Sequence, residues 1–142
     1  MIGNPGGMTL TEVLITIFII TIGLVAVATG MRLATVSINL GQQETTATFL
    51  AEEKLEDVKA FALSTLGTQG FANVASANFP VEAYGTITIN RTNYNGYRRT
   101  TTITNPSATT KVVVVNVFYT PAGVAATNTE RQVALSTVLT QR

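Results

Sequence analysis

Residues 12–32 read EVLITIFIITIGLVAVATGMR: one carboxylate, 19 residues from Val13 to Met31 without a charge, then Arg32. From Met8 to Met31 the chain reaches roughly 36 Å as a helix, enough to cross the ~30 Å apolar core of a bilayer. Thr16, Thr21, Gly23, Thr29 and Gly30 interrupt the run, and small residues of this kind let other helices approach closely. The stretch is a membrane segment by length and a helix–helix contact surface by composition. Three plainer readings compete. A secretory signal fits Ala26-Val27-Ala28 as a small-x-small cleavage site, although no Lys or Arg precedes the run and Glu12 stands at its mouth. An ordinary anchor fits the length, but the only nearby basic residue is Arg32, on the far side. A helix buried in a soluble core needs more chain around it than 142 residues readily supply.

The composition agrees that apolar surface has to be placed somewhere special. Charged residues make up 12% of the chain, against about 25% in ordinary soluble domains, and the mean hydropathy is +0.31. Length bounds the protein to one modest core. A net charge of +1 gives no footing to a nucleic-acid binder. There is no His, Cys or Trp, and Asp57 is the only Asp. Most catalytic and metal-binding constellations need the residues that are missing, so no enzymatic activity, metal or other cofactor is expected. Disulfides are excluded too, so an exported form has to hold its fold by packing alone.

Beyond Arg32 the helical pattern continues. Ala47, Ala51, Leu55, Val58, Ala62 and Leu66 recur at helical spacing, with Glu44, Glu52, Glu53, Glu56, Asp57 and Lys59 off that stripe. No Pro lies between Gly6 and Phe79, so the spacing predicts one helix from Thr9 to Leu66, roughly 87 Å long, stopped by Gly67. Thr68–Ala83 is small, polar and aperiodic, and reads as a loop. The period then changes to two. Tyr84–Thr92, Tyr97–Thr104, Lys111–Thr120 and Arg131–Thr140 read as strands, with turns at Asn95-Gly96, Asn105-Pro106-Ser107 and Pro121-Ala122-Gly123. The expected fold is α+β: a long N-terminal helix, apolar in front and amphipathic behind, packed on a four-stranded antiparallel meander. Val113, Val115, Val117 and Tyr119 are expected to face the stripe of the helix.

Gly7-Met8-Thr9-Leu10-Thr11-Glu12-Val13-Leu14-Ile15 resembles the processing site of type IV prepilins and pseudopilins. In that family a dedicated peptidase cuts after the Gly and methylates the new N-terminal residue, and a Glu stands fifth in the mature chain. The resemblance implies cleavage between Gly7 and Met8, N-methylation of Met8, and Glu12 as the fifth mature residue. The Ala51-Glu52-Glu53-Lys54-Leu55-Glu56 segment and the ending Val133-Ala134-Leu135-Ser136-Thr137 look like minor pilins and minor pseudopilins. Also implied are a leader over residues 1–7, an apolar transmembrane and filament-core helix over 8–41, its amphipathic continuation over 42–67, and a loop and sheet over 68–142 that form one globular domain with 42–67. Assembly contacts are expected from Glu12, Leu10, Val13 and Leu14. The partners implied are other pilin subunits, the prepilin peptidase and methylase, an inner-membrane assembly platform, and lipid before assembly. The precursor is expected in the bacterial inner membrane, and the mature protein in a periplasmic or extracellular filament.

Elementary electrostatics explains why a carboxylate belongs at that position. An ionised carboxylate in an apolar segment costs several kcal/mol unless it is paired. Cleavage creates an α-amino group of pKa about 8 at Met8, which Glu12 of another copy can meet in a filament core. An unprocessed chain lacks that ammonium. Thr9-x-x-Glu12 is also a capping box, in which Glu12 bonds back to its own helix start; capping in the monomer and pairing in the filament are compatible.

Leaders in the family usually carry a basic residue, and residues 1–7 have none, which leaves the true start open. Many pilins close their C-terminal region with a disulfide, which this chain cannot form. The calcium site of major secretion pseudopilins needs acidic ligands near the C-terminus, and after Glu82 only Glu130 is acidic. Residues 1–82 carry seven acids and three bases, net −4, while residues 83–142 carry one acid and six bases, net +5. That asymmetry fits either contacts between copies or two solvated faces. Arg98-Arg99 with Tyr94 and Tyr97 is a candidate for contact with DNA or another anionic surface. An enzyme would have to use something like Ser64 with Lys59. The alternative function of another class is a secreted or membrane-anchored β-rich binding or adhesion domain behind an ordinary signal peptide or anchor.

Overall fold

The computed structural model describes residues 9–121 and 129–141. Helix α1 spans Leu10–Leu63, and the boundary between two compact units falls inside it, after Ile38. In the first unit every described residue from Thr9 to Thr35 is exposed, including Phe18, Ile19 and Leu24. By length and composition this part of α1 can span a membrane.

In the second unit, α1 turns Ala47, Leu50, Ala51, Leu55 and Val58 into the core. The predicted stripe is there, with Leu50 added. Ala62 is only half-buried and Leu66 is exposed, because the helix ends at Leu63 rather than at Gly67. The stop is a chain reversal: the Phe61 carbonyl accepts from Ser64 N–H at 3.3 Å and from Gly70 N–H at 2.9 Å. Gly70 sits at φ +97°, and a Cβ there would lie 3.2 Å from the Ser64 carbonyl oxygen. Glycine is required at this reversal, not at Gly67.

The expected single meander of four strands is instead five strands in two antiparallel sheets. β1 (Thr88–Ile89) and β2 (Thr92–Asn93) form a two-stranded hairpin. β3 (Tyr97–Ser107), β4 (Thr110–Tyr119) and β5 (Arg131–Thr140) form the larger sheet in that order. The predicted strand Tyr84–Thr92 is broken twice. Thr86 N–H bonds the Ala83 carbonyl across Gly85 at φ +79°, and the chain then reverses at Asn90 and Arg91, with φ of +48° and +67°. Asn is at ease in such a turn and Arg is not, so the pattern hid the hairpin. The Asn95-Gly96 turn is present, closed by Tyr97 N–H on the Tyr94 carbonyl at 3.1 Å. Asn105-Pro106-Ser107 is not a turn. β3 runs through it with a register shift between Thr104 and Ser107, an irregularity that accommodates Pro on an edge strand, and the reversal falls at Ala108-Thr109. Of the third predicted turn, Pro121 follows β4, whereas Ala122 and Gly123 lie outside the described residues.

Val113, Val115 and Val117 are fully buried and Tyr119 nearly so, in one cluster with Leu50, Val58, Val74 and Ile87. Strand alternation thus lays one face of β4 on the amphipathic half of α1, as expected. Fully burying each such aliphatic side chain contributes about 1.5–3 kcal/mol. The Thr68–Ala83 segment is a connection with two 3-10 turns, Phe71–Asn73 and Ser76–Asn78. It is held by Lys111, which is buried and donates to the Val74 carbonyl at 2.7 Å and the Ala72 carbonyl at 3.2 Å.

Candidate processing and assembly site

Gly7 and Met8, the expected cleavage site, lie outside the described residues. Immediately after them, Glu12 makes the predicted capping box. Its carboxylate accepts from Thr9 N–H at 2.8 Å and from Thr9 Oγ1 at 3.0 Å, while Glu12 N–H donates to Thr9 Oγ1 at 3.3 Å. Two donors at the first turn, which has no helical partners for them, are thereby satisfied. Glu12 is the acidic residue of that turn, where the helix dipole favours negative charge. Leu10, Val13 and Leu14, the other expected assembly residues, are 83%, 41% and 64% exposed.

The apolar run conceals its polar groups. Thr16, Thr21, Thr29 and Thr35 each donate their hydroxyl to the carbonyl four residues back, at 2.7–3.0 Å. A threonine bonded this way spends its donor within its own helix. At 3.6 residues per turn, Glu12, Thr16, Gly23 and Gly30 fall within about 40° of one another around the axis. A Cβ built on Gly23 or Gly30 meets nothing within 4 Å, so neither glycine is required by packing inside one chain. The carboxylate therefore shares its helix face with these small residues and with Ile19, about 20° away around the axis, and another helix can come closest over Gly23 and Gly30.

The globular unit uses its charges internally. Arg99 is 3% exposed. Its Nε and Nη2 donate to the two Glu82 oxygens at 2.5 and 3.0 Å, and Nη1 donates to Glu53 Oε2 and the Leu50 carbonyl, both at 2.6 Å. Lys54 adds a 3.2 Å contact to Glu82. Burial pushes the Glu82 carboxyl up, but the hydrogen bonds and charge of Arg99, with Lys54, outweigh it and leave the pKa below the ordinary value. The cluster joins strand β3, helix α1 and the connection that carries Glu82. Arg98 points to the other face. It lies over the Phe118 ring at 3.7 Å and forks onto Glu130 at 2.6 and 2.7 Å, while Tyr84 Oη donates to the same carboxylate at 2.7 Å. The Arg98 and Tyr84 bonds hold the Glu130 carboxyl down to about 2.

The expectation that the Arg98-Arg99 pair contacts an anionic surface is therefore overturned: Arg99 is buried, and Arg98 is paired with Glu130. Adjacent strand residues face opposite ways, and that alternation was the signal in the sequence. Ser64 and Lys59 are not brought together either. Lys59 donates to Glu56 at 2.7 Å and Ser64 Oγ accepts from Leu66 N–H at 3.3 Å. Among the described residues no cluster of three or more acidic, His or Cys side chains is placed to hold a metal. Part of the charge asymmetry is spent within the chain at Arg99, Glu53 and Glu82, a role the sequence reading missed.

Residues 4–28 match the family described as the prokaryotic N-terminal methylation motif. This is the signature of type IV pilin and pseudopilin precursors, and it supports a pilin-like filament subunit. No curated protein and no solved structure matches the chain.

Proposed function

We propose that the chain is a subunit of a type IV pilus or related secretion-type filament, of the minor rather than the major kind. In this reading the precursor sits in the inner membrane by the front of α1, and a prepilin peptidase cuts between Gly7 and Met8 and methylates Met8. An inner-membrane platform then moves the subunit from lipid into a stack of helices. The observation that carries it is the methylation motif at residues 4–28, joined to a helix whose residues from Leu10 to Thr35 are all exposed.

The mechanism is assembly. Apolar side chains such as Phe18 and Leu24 leave lipid for other helices, and Gly23 and Gly30 let those helices approach closely. Glu12 exchanges its capping bonds for the α-ammonium of a neighbouring copy, pairing both charges in a medium where an isolated one is expensive. The chain needs no cofactor for this. Glu12→Ala is expected to give protein that is inserted and processed but incorporated poorly into filaments, measured as the ratio of filament to membrane protein. Normal incorporation would leave the capping box as the whole role of Glu12.

A further inference from the structure

The two outer edges of the three-stranded sheet are finished differently. On β3, the outward main-chain groups of Arg99 bond those of Glu82 at 2.8 and 2.9 Å, and Ile103 N–H donates to Ser76 Oγ at 2.9 Å. On β5, the bond from Gln141 N–H to the Thr109 carbonyl, 2.9 Å, fixes which residues face β4 in the continuous register between the strands. The N–H and carbonyl groups of Gln132, Ala134, Ser136, Val138 and Thr140 therefore point outward. Among the described residues, none of these groups has a partner.

Edge strands usually carry Lys, Pro or a bulge that turns other strands away. Residues 132–140 contain no charge, no Pro and no Gly, and their pairing with β4 has no irregularity. The inner-facing Val133, Leu135 and Leu139 are only half-buried, whereas Val113, Val115 and Val117 on the next strand are completely covered. At the Leu139 end lies an open cavity of about 480 Å³, lined by Ala62, Leu63, Phe71 and Leu139, with Lys59 also contributing.

We propose that the β5 edge receives an extended strand of a partner protein, uncharged along the paired stretch and apolar at alternate positions. Its outward and inward residues follow the alternation of β5, so its apolar side chains lie beside Val133, Leu135 and Leu139. Main-chain bonds supply the affinity, and the cavity selects the side chain at the Leu139 end. Edge-to-edge joining of β5 to β3 of another copy is blocked by Glu82 and Ser76. Antiparallel pairing of β5 with β5 of a second copy is an isologous contact that closes on itself, whereas a growing filament needs contacts that do not close. The choice of a foreign strand over a second copy rests on the filament reading; the open edge does not.

The test uses the full chain in detergent micelles and a fluorescent Thr-Val repeat peptide of about ten residues with Lys at each end, near the length of one strand. The same peptide N-methylated at alternate amides controls for partition into micelles. Saturable binding is expected by anisotropy. The N-methylated peptide, and the unmodified peptide on Val138→Lys, are expected to bind at least about tenfold more weakly. Thr102→Lys, an exposed position on β3, leaves binding unchanged, and thermal unfolding of both variants matches the parent. If Val138→Lys unfolds, Ala134→Lys on the same face takes its place. No binding, or equal binding in every case, overturns the proposal. The chain has no cysteine, so Ser136→Cys under air oxidation, with oxygen taking the two electrons, reports contact between copies; a disulfide dimer whose formation is suppressed when the peptide is present beforehand would put a second copy on the edge and overturn the foreign strand. The filament reading fails separately, through the N-terminus of the mature chain.

Discussion

Leu24 and Leu50 belong to the same helix, yet Leu24 is 66% exposed and Leu50 is not exposed at all. The backbone is the same; what differs is the pattern around it. In the front of α1 apolar residues run all the way round, so no single face can be assigned to a core. In the back, acidic residues and threonines occupy one side and leave a stripe for β4. A helix apolar on every side within one chain has to be covered by lipid or by other helices, whereas the striped part is satisfied by its own domain. The two parts should therefore respond oppositely to substitution.

The largest effect is expected from Arg99→Ala. It leaves Glu82 and Glu53 without their shared cation and removes the side-chain donor to the Leu50 carbonyl, and breaking a buried pair from one side costs about 3–5 kcal/mol. Denaturant unfolding of the full chain in detergent, followed by tyrosine fluorescence, measures it. Stability unchanged by this variant would mean that the cluster does not hold α1 to the sheet.

Next comes the paired test of the comparison itself. Leu50→Ala is expected to destabilise the globular unit by about 2–5 kcal/mol. Leu24→Ala should leave that unfolding transition where it was and instead lower the filament-to-membrane ratio. A shift of domain unfolding by Leu24→Ala would show that the front of the helix is part of the same core.

The smallest effect concerns Glu130. Its carboxyl is lowered in the fold by Arg98 and Tyr84 to about 2, so its contribution is fully present above the ordinary carboxylate range. That contribution is lost as pH falls toward the folded value. Glu130→Gln is expected to melt lower than the parent at pH 6, with the difference shrinking as the pH is lowered from about 5 to 2. A difference constant over that range would remove the ion pair as the cause.

Much of this division was legible in the sequence, because both parts of α1 are strongly periodic or strongly apolar over many turns. Ala47, Ala51, Leu55 and Val58 were readable as core from spacing alone, and so was the inward phase of Val113, Val115 and Val117. The helix end was not, because Gly67 advertised a stop that the Phe61 carbonyl and Gly70 make earlier. The Thr88–Asn93 hairpin was masked by Arg91 in a conformation Arg seldom adopts. Arg99 was misread as a surface neighbour of Arg98. Its partners, Glu82 and Glu53, are 17 and 46 residues away in the chain, and local pattern carries no information about such pairing. At the candidate site the capping box was readable from Thr9 and Glu12, and the expected helix already placed Gly23 and Gly30 on the Glu12 side through their spacing of eleven and eighteen residues from it.

The central claim is that the exposed front of α1 begins a mature, processed filament subunit. Mass spectrometry of the N-terminal peptide of the protein purified from membranes tests it most directly. A first residue of N-methylated Met8 is the predicted result. A first residue of Thr29, after cleavage behind Ala26-Val27-Ala28, would contradict it, since the helix would then have been a signal and not a core.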